Sequence, residues 1–246
     1  MEPQIKHFGQ YFDAYSASVE SPEAFWAGIA EEFTWRKKWD KVLEWDFTKP
    51  EVQWFVNGKL NITENCLDRH LEKRGDQTAI LWEPNDPKDP AQHISYKELH
   101  ERVCKMANVL KNKGIKKGDN VCVYLPMIPE LAVSLLACAR IGAVHSVVFA
   151  GFSSQALADR VNDAGAKMII TSDGSYRGKK QIGLKKIVDD AMKKAPVVKN
   201  CLVVKHTGTD DFEWEAGRDS WLHEELGSVD ANCPAEEMDA EDRLFI

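Results

Sequence analysis

The stretch Ser172-Asp173-Gly174-Ser175-Tyr176-Arg177-Gly178-Lys179-Lys180 places three cations within four residues. Arg177 offers a planar fork that matches phosphate oxygens, and Lys179 and Lys180 add point charges. Gly174 and Gly178 allow a backbone to approach a ligand closely. In a chain of net charge -7, such a bend is the natural receiver for a polyanion. A solvated basic loop fits the pattern equally well. A second cluster is Phe149-Ala150-Gly151-Phe152-Ser153. Gly151 permits a sharp turn, and Ser153 or Ser154 can cap a helix whose N-terminus favours an anion. A strand-to-helix turn with no ligand accounts for it as readily.

No complete catalytic set is visible. The chain has no G-x-x-x-x-G-K-[ST] loop, no G-x-G-x-x-G, no G-x-S-x-G elbow and no H-E-x-x-H. His7, His70, His93, His100, His145, His206 and His223 are scattered, and His145 reads as a hydrogen-bonded core residue. No carboxylate pair is marked by spacing. The six cysteines form no C-x-x-C and no zinc spacing, and they read as reduced core thiols. No catalytic residue and no metal ligand is therefore assigned within this chain.

The elements that must position the two clusters follow from periodicity. Thr78–Trp82 and His93–Tyr96 read as a hairpin with a long loop. Leu99, Val103, Met106 and Leu110 form the stripe of a helix ending near Gly114. Strands are expected at 121–125, 144–149, 167–171 and 201–205, with helices at 129–139, 154–162 and 185–194. The alternation implies an α/β fold with a parallel sheet and helices on both faces. Ligands of such sheets bind beyond the carboxyl ends of the strands. The segments there are 126–129, 150–153 and 172–180.

Residues 1–60 read as a helical, aromatic-rich N-terminal extension, with Ser21-Pro22 opening a helix and Phe25, Trp26, Ile29 and Phe33 on one face. Residues 61–246 read as an incomplete α/β domain, with 207–240 acidic and loop-like. Hydrophobic residues make up 43% of the 246 residues, enough for a sizeable core. The acidic balance argues against nucleic-acid and membrane-surface partners. The longest apolar stretch, 131–149, is interrupted by Arg140 and His145, so no membrane span of ~20 residues is expected. Without a secretory leader pattern the expectation is a cytoplasmic protein. Arg243–Ile246 reads as the start of a strand, which suggests a fragment boundary.

At the level of longer segments the chain resembles the AMP-forming acetyl-CoA synthetases, of the acyl-adenylate-forming ligase family. The resemblance is carried by Trp54–Asn61 with Asn65–His70, by Gly118-Asp119 with Tyr124–Glu130, by Ala139–Phe149 and by Glu241–Ile246. It covers nearly the whole chain in order. It implies a ligase that activates acetate with Mg-ATP to acetyl-adenylate and pyrophosphate, then passes the acetyl group to the CoA thiol, releasing AMP. It also implies the front part of that family's N-terminal domain, stopping before the ATP loop and inactive alone. The acetate, ATP and Mg2+ sites would lie in a missing C-terminal remainder of the same polypeptide.

What the resemblance carries onto this chain is part of a CoA site. The family's basic turn against the nucleotide phosphates corresponds to Arg177-Gly178-Lys179-Lys180, and the turn beside the CoA adenine to Phe149, Ala150 and Gly151. Ala150 and Lys179 depart from glycines common in the family. Two alternatives stay open: a ligase for another short acid such as propionate, and a non-catalytic doubly wound nucleotide-binding or interaction module.

Overall fold

The computed structural model describes residues 5–246. In chain order the elements are α1 (Phe8–Glu20), α2 (Pro22–Ala30), β1 (Lys41–Asp46), β2 (Glu51–Val56), β3 (Lys59–Leu60), α3 (Ile62–Cys66) and a 3-10 turn at Asp68–His70. There follow α4 (Leu71–Arg74), β4 (Thr78–Trp82), β5 (Gln92–Ser95), α5 (Tyr96–Asn112), β6 (Asn120–Tyr124), α6 (Pro129–Arg140), β7 (Val144–Val147) and α7 (Ser154–Ala164). The rest are β8 (Met168–Ser172), β9 (Ser175–Arg177), β10 (Lys180–Ile182), α8 (Leu184–Met192), β11 (Asn200–Val204), β12 (Asp219–Trp221), α9 (Leu222–Leu226) and β13 (Met238–Asp239).

Two compact units emerge, one from residues 1–61 with 237–242, the other from 62–236 with 243–246. The first unit departs in part from the expected helical extension. Helices hold for α1 and α2, but 41–56 is an antiparallel pair, β1 with β2, matching Leu43 to Trp54 and Trp45 to Val52. Tryptophan and valine favour a pleated, half-buried surface, and the segment 41–56 carries no helical stripe to compete with it. Segment 238–239 also joins this unit, pairing with β3, with Lys59 Nζ 2.7 Å from Asp239. Ser21 does precede α2 with Pro22 at its first turn, yet its side chain makes no capping bond. The tryptophans pack on one another and on phenylalanines: Trp35 on Trp39 and Phe55, Trp54 on Phe55 and Trp26.

The second unit is built on a parallel sheet of order β12-β11-β8-β6-β7. Its strands bury alternate residues on opposite faces. Val121, Val123, Met168, Ile170, Leu202 and Val204 join one core with α5 and α6. Cys122, Tyr124, Ile169, Cys201 and Val203 join another with α7 and α8. Both faces are therefore apolar, which is why these strands read as continuous hydrophobic runs. Helix α5 starts from a full capping box in which Ser95 and Glu98 satisfy each other's backbone N–H. The sheet's far strand, β12, and helix α9 lie inside the segment expected to be loop. Strands this short carry too few residues to show a period.

His145 also differs from expectation. It is half-buried on β7, and its Nδ1 has no hydrogen-bond partner among the described residues. Its ring lies 5.7 Å from Phe245, and its backbone bonds to the Leu244–Ile246 segment in a parallel bridge. Burial pushes its pKa down, which keeps the ring neutral. All six cysteines are free thiols, with Cys66 exposed. No helix among the described residues is long and apolar enough to cross a membrane.

One polar knot sits at the edge of the α5–α6 core. Arg140 forks onto Asp68 at 2.8 and 3.0 Å and donates Nε–H to the Cys233 carbonyl at 2.6 Å. His100 Nε2 lies 3.4 Å from the same Asp68 oxygen. Burial alone would raise the Asp68 pKa, but bonds from His100 and Arg140 hold the carboxyl well below its usual range. Asp68, aided by Cys104, pushes His100 up to about 9 from an ordinary 6.5. A raised pKa means the contribution is complete below 6.5 and fades as pH climbs through 9. Stability is expected to fall by on the order of 2 kcal/mol over that window. Denaturant melts from pH 6 to 10 check this; an equal fall in His100→Gln would remove His100 as its source.

Candidate functional site

The parallel strands β7, β6, β8 and β11 all deliver their carboxyl ends to one edge of the sheet. The two clusters singled out by composition leave this edge from β8 and β7, on either side of β6.

The cationic cluster is a hairpin rather than a loop. Strands β9 and β10 pair antiparallel, with Arg177 opposite Lys180 and Tyr176 opposite Gln181. Gly178 and Lys179 make the connection. Gly178 has φ +59°, a left-handed conformation that suits glycine. Lys179 keeps a negative φ, so the lysine costs the turn nothing. Arg177, Gly178, Lys179 and Lys180 are all exposed. Among the described residues, no side chain pairs with the three cations. Opposed cations repel across a hairpin, so this arrangement spends stability to keep positive charge unpaired. Asn85, from the β4–β5 loop, donates to the Gly178 carbonyl at 3.0 Å and steadies the tip.

The second cluster is a tight turn between β7 and α7. Phe152 N–H donates to Phe149 O, and the two rings meet edge to face at 5.9 Å. Ser153 caps α7 by accepting from Ala156 N–H. Phe149 is 71% exposed, Ala150 is partly covered and Gly151 is exposed. The turn is anchored from below: the buried Tyr124 hydroxyl donates to Phe152 O at 2.7 Å. Burial pushes that phenol up to about 12, so it stays a donor. Arg160 stacks over Phe152 at 4.6 Å. An exposed aromatic is suited to a flat ring and exposed cations to phosphates, and the two leave the same edge of the sheet from strands on either side of β6.

Composition missed the residues behind these clusters. Asp173 is fully buried, and its carboxylate accepts backbone N–H bonds from Gly174, His206, Thr207 and Gly208, at 2.7 to 3.2 Å. The loop after β11 that supplies three of these donors was not among the expected ligand segments. Its position after a parallel strand was the available signal. A second buried group joins that loop to α8. Lys185, fully buried, donates to Asp189, to Asp219 at 3.0 Å and to Glu213 O at 2.9 Å. Arg218 forks onto both Asp219 oxygens and reaches Asp189. Among the described residues no cluster of three or more His, Cys, Asp or Glu is arranged to hold a metal ion.

Comparison with known proteins matches both units. The profile described as AMP-binding enzyme covers residues 67–246, and that of the acetyl-coenzyme A synthetase N-terminus covers 11–66. The acetyl-coenzyme A synthetase of Alkalilimnicola ehrlichii is 55% identical over 237 residues, 96% of this chain and 36% of that protein. That of Desulfatibacillum aliphaticivorans is 54% identical over 238 residues, with the same coverage of each. The acetoacetyl-CoA synthetase from Streptomyces lividans superposes with TM-score 0.83 at 27% identity, over 93% of this chain and 34% of that one. This chain thus spans 36% of the length of such curated relatives. Its doubly wound sheet and the profile match across 67–246 agree, and the chain belongs to the AMP-binding enzyme family.

Proposed function

We propose that this chain is the front part of a cytoplasmic acetate–CoA ligase that makes acetyl-CoA from acetate, ATP and CoA through an acetyl-adenylate, releasing AMP. The observation that carries the reading is identity of 50–55% to acetyl-coenzyme A synthetases over at least 96% of this chain. The acyl group is read as acetyl because those relatives exceed the 27% identity of the acetoacetyl-CoA synthetase. A propionate ligase remains the neighbouring reading within the class.

On this reading the chain's own contribution is part of the CoA site. Arg177 and Lys180 receive phosphate, with Lys179 adding charge at the tip. Phe149, Ala150 and Gly151 offer a surface to the adenine. The chain itself performs no chemical step. Acetate, ATP and Mg2+ are assigned to the portion of the relatives that this chain does not match.

Calorimetric titration with CoA is expected to show binding that weakens as salt rises, because phosphate contacts release counterions. The same preparation is expected to give no acetate-dependent exchange of pyrophosphate into ATP. Salt-insensitive binding would displace Arg177 and Lys180 from the site. Clear exchange activity would show that this stretch already holds the adenylation machinery.

A further inference from the structure

We propose that Asp173 is the positioning residue of the cationic hairpin, tying its base to the loop after β11 so that Arg177 and Lys180 stand ready for phosphate. The proposal rests on the CoA reading above and goes beyond it in naming what orients the cations. Hairpin β9–β10 is short, and its tip is exposed. A two-stranded ribbon of this size is marginal by itself. Besides the Asn85 bond at the tip, what orients it is its base, where Asp173 and Gly174 enter and Gly183 leaves.

At that base Asp173 binds a nest of backbone amides. Oδ1 accepts from Gly174 at 2.7 Å and from His206 and Thr207 at 2.9 Å, while Oδ2 accepts from Gly208 at 2.7 Å. The residue's main chain is held as well. Its N–H donates to Val204 O, and its C=O accepts from Lys185 N–H at 3.3 Å. The side chain ties the hairpin's entry to the 206–208 loop, and the main chain of the same residue adds links to β11 and to the start of α8. Gly174 completes the fit, since a Cβ there would lie 2.4 Å from Thr207 Oγ1 and 3.0 Å from Ile182 O. The Tyr176 ring meets His206 edge to face at 5.8 Å, a second contact between hairpin and loop.

No described cation neutralises this carboxylate, so its charge is spread over amide dipoles. The amides are fixed in direction, as side-chain cations are not, and they define an angle as well as a distance. The carboxylate is fully buried and cannot itself touch a ligand at the tip. Its effect on CoA passes through Arg177 and Lys180.

The test is a double-mutant cycle read by CoA titration of the full chain, with hydrogen exchange alongside. Asp173→Asn keeps the shape but turns an amide NH2 toward backbone donors. It is expected to weaken CoA binding roughly 10-fold, the scale of a small misplacement of binding groups. In an Arg177→Ala, Lys180→Ala background, the same change is expected to cost less than about 2-fold, because the groups it positions are gone. Equal losses in both backgrounds would overturn the proposal, as would unaltered affinity in Asp173→Asn.

Gly174→Ala, which presses on Thr207 instead of removing the carboxylate, is expected to follow the same pattern. It carries the cycle if Asp173→Asn fails to fold. If CoA does not bind the unsubstituted chain, the functional reading fails, and hydrogen exchange then decides the positioning claim separately. Amides of the hairpin must lose protection in Asp173→Asn while those of β6 and β8 keep theirs. Unchanged hairpin protection would sink it.

Discussion

Arg177→Glu is expected to lower the CoA affinity of this chain roughly 100-fold. That scale combines the loss of a charge-assisted phosphate contact with a new like-charge repulsion. The side chain is exposed and makes no described pairing, so the fold has little to lose. Melting temperature is therefore expected to stay within a degree or two of the parent, as for ordinary surface substitutions. The salt dependence should flatten as well, since fewer phosphates are neutralised. In a complete ligase carrying this stretch, the variant should demand more CoA while acetate-dependent pyrophosphate exchange persists. Equal damage to both half-reactions would remove Arg177 from the CoA site.

Lys185→Met is expected to produce the largest stability loss in the chain. Methionine approximates the volume of the aliphatic stem, so the cavity term is small. What remains is a fully buried Asp219 and a nearly buried Asp189 that lose their shared ammonium donor. Removing one partner of a buried pair costs about 3–5 kcal/mol. For a chain of this size, that is a melting shift on the order of 10 °C.

The pH dependence separates electrostatics from packing. Burial already raises the Asp189 pKa in the intact network, and losing Lys185 pushes it further in the same direction. A carboxyl with a raised folded pKa is stabilised by protonation, so the deficit of the variant should shrink as pH falls. Lys185→Met with Asp189→Asn should likewise recover part of the loss at neutral pH. A deficit independent of pH and unrelieved by Asp189→Asn would mean that packing against Phe212 and Trp214, whose rings lie 5.6 and 5.9 Å from Lys185 Nζ, dominates instead.

Much of the central unit was legible in the residue order because its elements repeat a period over many positions. The stripe Leu99-Val103-Met106-Leu110 marks α5, and the runs at 121–124 and 168–172 mark strands covered on both faces. The cationic tip was legible too, since charge type and glycine placement survive without coordinates. Arg177 and Lys180 are opposed across two residues because Gly178 takes a left-handed φ. That the surrounding segment forms a hairpin was not legible, because three-residue strands show no period.

The aromatic first unit and the acidic 207–240 segment were misread for related reasons. The strands at 41–56 are held by pairs such as Leu43 with Trp54, and β12 gains its stability from β11, some fifteen residues earlier, neither of which a local pattern shows. The same holds for Asp173. Nothing in Ser172-Asp173-Gly174 announces a carboxylate that collects amides from 206–208, because those donors are thirty-odd residues away and arrive only when β8 and β11 lie side by side.

By itself, the residue order settled the α/β alternation, the apolar faces of the long helices and the presence of a basic bend in an acidic chain, all properties set by neighbours within a few positions. Tertiary contact alone decided which strand lies beside which, how Lys185 and Asp173 come to be buried with their partners, and which way the basic bend points. Such groups exact a desolvation cost that only distant segments can offset, and a linear pattern carries no record of those segments' distance in space.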